Sequence, residues 1–194
     1  MIPHHPTESS YGLAADPRNP AGVEAIYRIN GREGGKALPV VVADAAQLAG
    51  LGVDPNLYIV KGLLALWPAP LTAVLPIARP LPASAGESTL AVRVPAHEGL
   101  LRLLREIGHG LTATSANRSG EAPVLDPEAA AALLAGEDAM VVDGGVLPGG
   151  PPSTLVAIEG EGLAVLRTGR FPAERLAQVL AGLRPPRGRG REDV

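Results

Sequence analysis

No cysteine occurs in the sequence, so disulfides, thiolate metal sites and cysteine nucleophiles are excluded before anything else is read. Aromatic side chains make up 3% of the 194 residues, too few for the stacking platforms that hold unpaired bases. No apolar run is long enough to span a bilayer, and Met1-Ile2-Pro3-His4-His5 lacks the pattern of a signal peptide. His4 and His5 are adjacent and would face different ways on any regular element, which disfavours a metal site there. Neither sign of charge is in large excess. Seventeen basic and 20 acidic residues give a net −3, with no global attraction to nucleic acid or anionic lipid. A cytoplasmic protein without membrane attachment is the expectation.

Glycine (24) and proline (20) are plentiful and imply tight turns and short elements. With 46% hydrophobic and 19% charged residues, the chain has the composition of one globular domain with a sizeable core. That domain is expected over residues 1–183. The stretch from Arg184 to Val194, with Pro, Gly and four arginines, is expected to be a disordered basic tail. No internal repeat is evident.

Residues 1–6 offer neither a helical nor a strand pattern. Asn19-Pro20 then opens a helix that Gly31 stops, with Val23, Ile26, Tyr27 and Ile29 on its apolar face. Leu38 to Ala43 is a continuous apolar run and reads as a buried strand. Asp44 caps a brief helix over Ala45 to Leu51, and a longer one runs from Pro55 to Trp67. Leu71 to Leu75 reads as a strand, and Ile77 to Glu87 as an exposed Pro/Ala/Ser connection. In Thr89 to Val94, strict alternation sends Leu90, Val92 and Val94 to one face and Thr89 and Arg93 to the other. Helices follow over His97 to Ile107 and from Asp126-Pro127 to Leu134. Short strands are expected at residues 140–142, 155–158 and 163–166, and a last amphipathic helix from Pro172 to Leu183.

Four polar stretches interrupt this pattern: Pro6 to Leu13, Asn30 to Lys36, Leu111 to Gly120 and Gly144 to Thr154. The third, Leu111-Thr112-Ala113-Thr114-Ser115-Ala116-Asn117-Arg118-Ser119-Gly120, reads by itself as a strand ending in a turn, and the three matching stretches give weight to the alternative of backbone and hydroxyls brought close to a ligand. Asn30 to Lys36 nearly spells a phosphate-binding loop. It departs from one at Asn30 and Ala37 and in running from helix to strand. Together the stretches and strand ends collect the cations Arg32, Lys36, Arg93 and Arg167 and the hydroxyls Thr7, Ser9, Thr89, Ser115, Ser119 and Ser153, with few carboxylates. Such a set suits an anionic ligand and chemistry done by positioning and charge stabilisation, as in phosphoryl and nucleotidyl transfer.

Pro6-Thr7-Glu8-Ser9 with Tyr11-Gly12-Leu13, Gly31-Arg32 through Leu38, and Trp67-Pro68-x-Pro70-Leu71-Thr72 resemble, in order, motifs of the YrdC-like family of L-threonylcarbamoyladenylate synthases. So do Val92-Arg93-Val94-Pro95, Ser115-Ala116-Asn117-x-Ser119-Gly120, Asp143-Gly144-Gly145, Pro152-Ser153-Thr154 and Leu166-Arg167-x-Gly169. The resemblance implies an α/β fold, a twisted mixed open sheet flanked by helices with a concave cationic face. It also implies a nucleotidyltransferase that joins L-threonine, bicarbonate and ATP into threonylcarbamoyl-AMP, with Mg²⁺, releasing pyrophosphate. Partner proteins would then place the threonylcarbamoyl group on tRNA. By the same resemblance, Arg32, Lys36 and Arg93 are the catalytic set. Arg32, Lys36, Thr89, Ser115, Asn117 and Arg167 would hold the nucleotide, and Thr7, Ser9, Arg93, Ala113 and Ser153 would hold threonine. Family members usually carry a helix and strand before the Pro-Thr-Glu motif, so an N-terminal strand is expected to be missing. Asn30 stands where the family often has Lys, Ser9 replaces Thr, and Val41 replaces a polar residue of some relatives. Two other functions remain open: a non-catalytic module binding double-stranded RNA or tRNA, and a related carbamoyl-adenylate enzyme acting on another substrate.

Overall fold

In chain order the computed structural model runs β1 (Ile2–Pro6), β2 (Tyr11–Leu13), α1 (Pro20–Asn30), β3 (Val40–Val41), α2 (Ala45–Gly50), α3 (Tyr58–Leu66), β4 (Leu71–Pro76) and β5 (Thr89–Arg93). It continues with α4 (Glu98–Ile107), β6 (Leu111–Thr112), β7 (Thr114–Ser115), α5 (Pro127–Leu133), β8 (Ala139–Val141), β9 (Thr154–Glu159) and β10 (Gly162–Arg167). The structure describes residues 2–6 as backbone, and residues 10–31, 35–172 and 174–176. Among these, six strands form one sheet in the order β10-β9-β4-β5-β3-β6, and four form a second in the order β7-β2-β1-β8. Both sheets mix parallel and antiparallel pairs.

One apolar core serves both sheets. Tyr11 and Leu13 of the smaller sheet belong to the same buried cluster as Leu71, Leu75, Leu90 and Val92 of the larger. Each such side chain contributes about 1.5–3 kcal/mol when removed from water, so the sheets are tied by the strongest term available. The chain passes from one sheet to the other at Ala113, between β6 and β7. Thr112 N–H donates to Ala15 O at 2.9 Å, Ala113 N–H to Pro39 O at 2.8 Å and Ala116 N–H to Tyr11 O at 2.9 Å. The buried Thr112 hydroxyl in turn accepts from Ala15 N–H at 2.9 Å.

Local chemistry explains where the helices start. The Asn19 side chain accepts from Ala21 and Gly22 N–H, Pro20 occupies the first helical position, and Gly31 ends α1 at φ +59°. Asp44 caps α2 through Gln47 N–H, and the buried Gln47 amide then bonds Ala43 N–H and Leu104 O. His97 caps α4, with Nδ1 accepting from Leu100 N–H at 3.1 Å.

Three expectations are corrected. Residues 2–6 form β1, a strand between β2 and β8. Its prolines and histidines conceal the strand because pairing to two neighbours, not side-chain pattern, defines it. The connection between β4 and β5 is exposed at 78–80 and 86–88 but not throughout: between these stretches lies a 3₁₀ turn, Pro82–Ser84, in which Ala83 and Ser84 are fully buried. Small side chains there let the backbone reach Pro17 and Leu38, with Ala83 N–H on Pro17 O and Leu38 N–H on Ala83 O. The apolar run 38–43 is buried as expected, yet only Val40–Val41 joins a ladder. The expected last helix lies mostly outside the described residues, and the basic tail wholly so.

Candidate active site

Strand register assembles a row of side chains that no local pattern reveals. Arg167 of β10 pairs with Leu155 of β9, Leu155 with Thr72 of β4, and Arg93 of β5 with Val41 of β3. Extending the antiparallel β4·β5 register by one pair sets Thr72 opposite Arg93. Paired residues share a face, so the row crosses five strands on one side of the larger sheet. All five side chains line a cleft of about 420 Å³ where this face meets the edge of the smaller sheet. The opposite face of the same strands carries the core residues Val40, Ala73 and Val92.

The facing wall comes from β2 and β7, through Ser10, Gly12, Ala113 and Ser115. Ser115 donates its hydroxyl to Asn117 Oδ1 at 2.5 Å, while Asn117 Nδ2 donates to Arg118 O and Glu121 O. The amide thus closes its own turn and aims the serine at once. Tyr11 is fully buried and acts as a staple: its hydroxyl donates to Gly145 O at 2.9 Å and accepts from Gly144 N–H at 3.0 Å. Two motifs 134 positions apart are joined in this way.

The third wall is the segment before β9. Ser153 shares a 2.7 Å hydrogen bond with the Thr72 hydroxyl, and its carbonyl accepts from Arg167 Nη2 at 3.1 Å. The chain after β10 presses on this segment. A Cβ at Gly169 would lie 2.3 Å from Pro152 O, so only glycine fits there. Thr154 Oγ1 accepts from Gly169 and Phe171 N–H and donates to Phe171 O.

Cations and hydroxyls line the cleft without a carboxylate among its described residues. Magnesium prefers carboxylate and phosphate oxygens, so the described residues do not by themselves make a Mg²⁺ site. No cluster of three metal-binding side chains is found among them either. A larger depression of about 540 Å³ lies between α1 and α4, but apolar side chains such as Ala25, Leu103, Ile107 and Met140 dominate it. Of its charges, Arg28 pairs with Glu137, and Asp16 with Arg18 outside the depression. The polar constellation belongs to the smaller cleft.

The model of the Sua5/YciO/YrdC family, described as "Telomere recombination", matches residues 2–169. The chain belongs to this family. Among curated relatives, threonylcarbamoyl-AMP synthase of Bacillus subtilis is 35% identical over 94% of this chain and 54% of its own length. The enzyme of the same name from Thiobacillus denitrificans is 36% identical, over 78% of this chain and 81% of its own. A solved structure of Pyrococcus abyssi Sua5 in complex with L-threonine superposes with a TM-score of 0.81 at 30% identity. It matches 94% of this chain and 54% of that one, so this chain spans about half the length of the Bacillus and Pyrococcus relatives.

Against the Sua5/YciO/YrdC motifs, the predicted site residues divide into three groups. Arg93, Ala113, Ser115, Ser153 and Arg167 come together in the cleft. Lys36, Thr89 and Asn117 are not on its wall. Lys36 is exposed beside the lining residue Ala37, with its carbonyl held by the Tyr27 hydroxyl at 2.7 Å. Thr89 is exposed at the far end of β5, and Asn117 is buried behind Ser115. Thr7, Ser9 and Arg32 lie outside the described residues. Asn30 is fully buried, and neither side-chain polar atom has a hydrogen-bond partner among the described residues. Thr72 and Leu155 were not singled out from the sequence. The signal for Thr72 was present: alternation in 71–75 puts it opposite Leu71, Ala73 and Leu75.

Proposed function

We propose that the cleft condenses L-threonine, bicarbonate and ATP into threonylcarbamoyl-AMP and pyrophosphate. The observation that carries this reading is the convergence of Arg93, Ala113, Ser115, Ser153 and Arg167 in one cleft free of described carboxylates. The threonine amine and bicarbonate combine to a carbamate with loss of water. A carbamate oxygen then attacks the α-phosphorus as pyrophosphate leaves, so atoms and charge balance with no redox step and no covalent enzyme intermediate.

In this reading Arg93 clamps the threonine carboxylate through two parallel N–H donors, and Ala113, Ser153, Thr7 and Ser9 surround the amino acid. Arg167, Lys36 and Arg32 oppose the charge that builds on the phosphates, and Ser115 and Thr89 hold the nucleotide. Asn117 acts through Ser115. Mg²⁺ enters as the Mg·ATP substrate, since phosphate oxygens supply the ligands that the cleft lacks. The product passes to partner proteins that modify tRNA in the cytoplasm.

The test is pyrophosphate release from ATP and bicarbonate at fixed Mg²⁺, with and without L-threonine. Release that requires threonine is expected. Binding of double-stranded RNA with steep salt dependence and no threonine-dependent release would replace this reading by the RNA-binding one.

A further inference from the structure

Ser153 sits at the end of a segment, Pro148-Gly149-Gly150-Pro151-Pro152, that has no regular structure to hold a hydroxyl in place. Its backbone is nevertheless clamped. Arg170 N–H donates to Pro152 O, Thr154 N–H to Pro70 O and Arg167 to Ser153 O, with Gly169 packed against the same peptide. None of these contacts touches the Ser153 hydroxyl. Its described partner is Thr72 Oγ1, at 2.7 Å. Thr72 lies on β4, inside the larger sheet between β9 and β5, and only 6% of it is exposed. The start of that strand is anchored as well, by Trp67 Nε1–H on Leu71 O at 2.6 Å and Ala69 N–H on Val94 O at 3.1 Å.

We infer that Thr72 is a positioning residue for the amino-acid substrate: it fixes the direction of the Ser153 hydroxyl and so tunes threonine binding through Ser153. The inference rests on the proposed function and assigns within it a residue that the motif comparison left without a role. One proton is committed between the two hydroxyls. Whichever hydroxyl donates it, what Ser153 has left (a proton and one lone pair if Thr72 donates, two lone pairs if Ser153 does) points in a set direction into the cleft that both residues line. A serine left to rotate would lose part of each threonine contact to rotamer entropy. A strand-borne threonine is suited to this task, because β-branching restricts its own χ1.

The experiment is a double-mutant cycle on the full chain with Thr72→Val, Ser153→Ala and the double variant, plus Thr72→Ser as the conservative replacement. Pyrophosphate release is followed against L-threonine and against ATP. Thr72→Val is expected to raise the threonine KM about tenfold while the ATP KM and kcat stay within about twofold. Thr72→Ser is expected to stay close to the parent. In the Ser153→Ala background, Thr72→Val is expected to add less than about twofold, because its route of action is gone. Multiplicative effects of the two substitutions would overturn the inference. So would equal shifts in both KM values together with a lower melting temperature, which would mark a merely structural role. A parent protein with no threonine-dependent release would bring down the proposed function and this inference together. A threonine-dependent parent with an additive cycle would bring down this inference alone.

Discussion

On the larger sheet, the cleft residues Val41, Arg93, Thr72, Leu155 and Arg167 stand on five hydrogen-bonded strands, and the reverse face of those strands is core. Across from them, the wall at Ser10–Gly12 and Thr114–Ser115 rests on strands of three and two residues. Short ladders to β1 and between β2 and β7 are supplemented there by single side chains: Tyr11 across to Gly144 and Gly145, and Asn117 within its own turn. The two walls therefore divide the work. Ladder bonds and core packing support the floor from behind, and its functional side chains project from that support into the cleft. On the facing wall polar residues are part of the support, and changing one alters structure and site together.

The largest expected effect is on the floor. Arg93→Ala should lower kcat/KM for threonine by about 10²–10³-fold, since a charge-assisted bidentate contact is lost, while the melting temperature changes by less than about 2 °C. A large drop in melting temperature would show that the floor is not independently supported. Gly169→Ala comes next. Its Cβ would overlap the Pro152 carbonyl at 2.3 Å, and the chain must move to admit it. Denaturant unfolding should show a loss of about 3 kcal/mol or more, with activity falling alongside; a loss under about 1 kcal/mol would show that the crossing yields easily.

Asn117→Ala probes the facing wall, and there both readouts should move. Removing the amide takes one donor from each of the Arg118 and Glu121 carbonyls and frees Ser115. Stability should fall by about 1–2 kcal/mol and turnover by about tenfold. An effect on turnover alone would make this wall like the floor and end the distinction.

Asn30 gives a smaller effect of opposite sign. Its two buried polar atoms have no hydrogen-bond partner among the described residues, so the apolar replacement in Asn30→Leu should raise the melting temperature by about 2–4 °C. A lower melting temperature would mean that the amide is satisfied in solution.

The smallest effect lies away from both walls. Burial pushes the Asp16 carboxyl up, but its bidentate hydrogen bonds and charge contact with Arg18 outweigh this and hold it below the usual range. A depressed folded-state value means that the contribution is present above the unfolded pKa of about 3.9 and is lost as pH falls through the folded value. The pair is partly exposed, so the gain is within about 0.2–1 kcal/mol. The stability difference between the parent and Asp16→Asn should be flat above about pH 5 and shrink below about pH 4. A difference that grows on acidification would contradict the assignment.

Much of the scaffold was legible because its causes are local. Asn19, Asp44, His97 and Asp126 cap the helices that follow them, and each cap needs only a side chain two or three residues from a free N–H. Alternation in 89–94 placed Arg93 opposite Leu90 and Val92, as the burial of those strand positions shows. Illegible features had distant causes. β1 exists because β2 and β8 flank it, and Ala83 is buried because Pro17 and Leu38 bond its backbone.

The site divides along the same line. Sequence by itself excluded cysteine chemistry and marked the cations and hydroxyls as candidates, and the order of its motifs pointed to the family. Tertiary structure alone decided that Thr72, Leu155 and Arg93 share a row and that Gly169 presses on Ser153. The physical reason is register. A strand's two-residue period says which residues share a face, but only pairing between strands says which residues of different strands meet, and a one-residue slip would turn Thr72 away from the cleft.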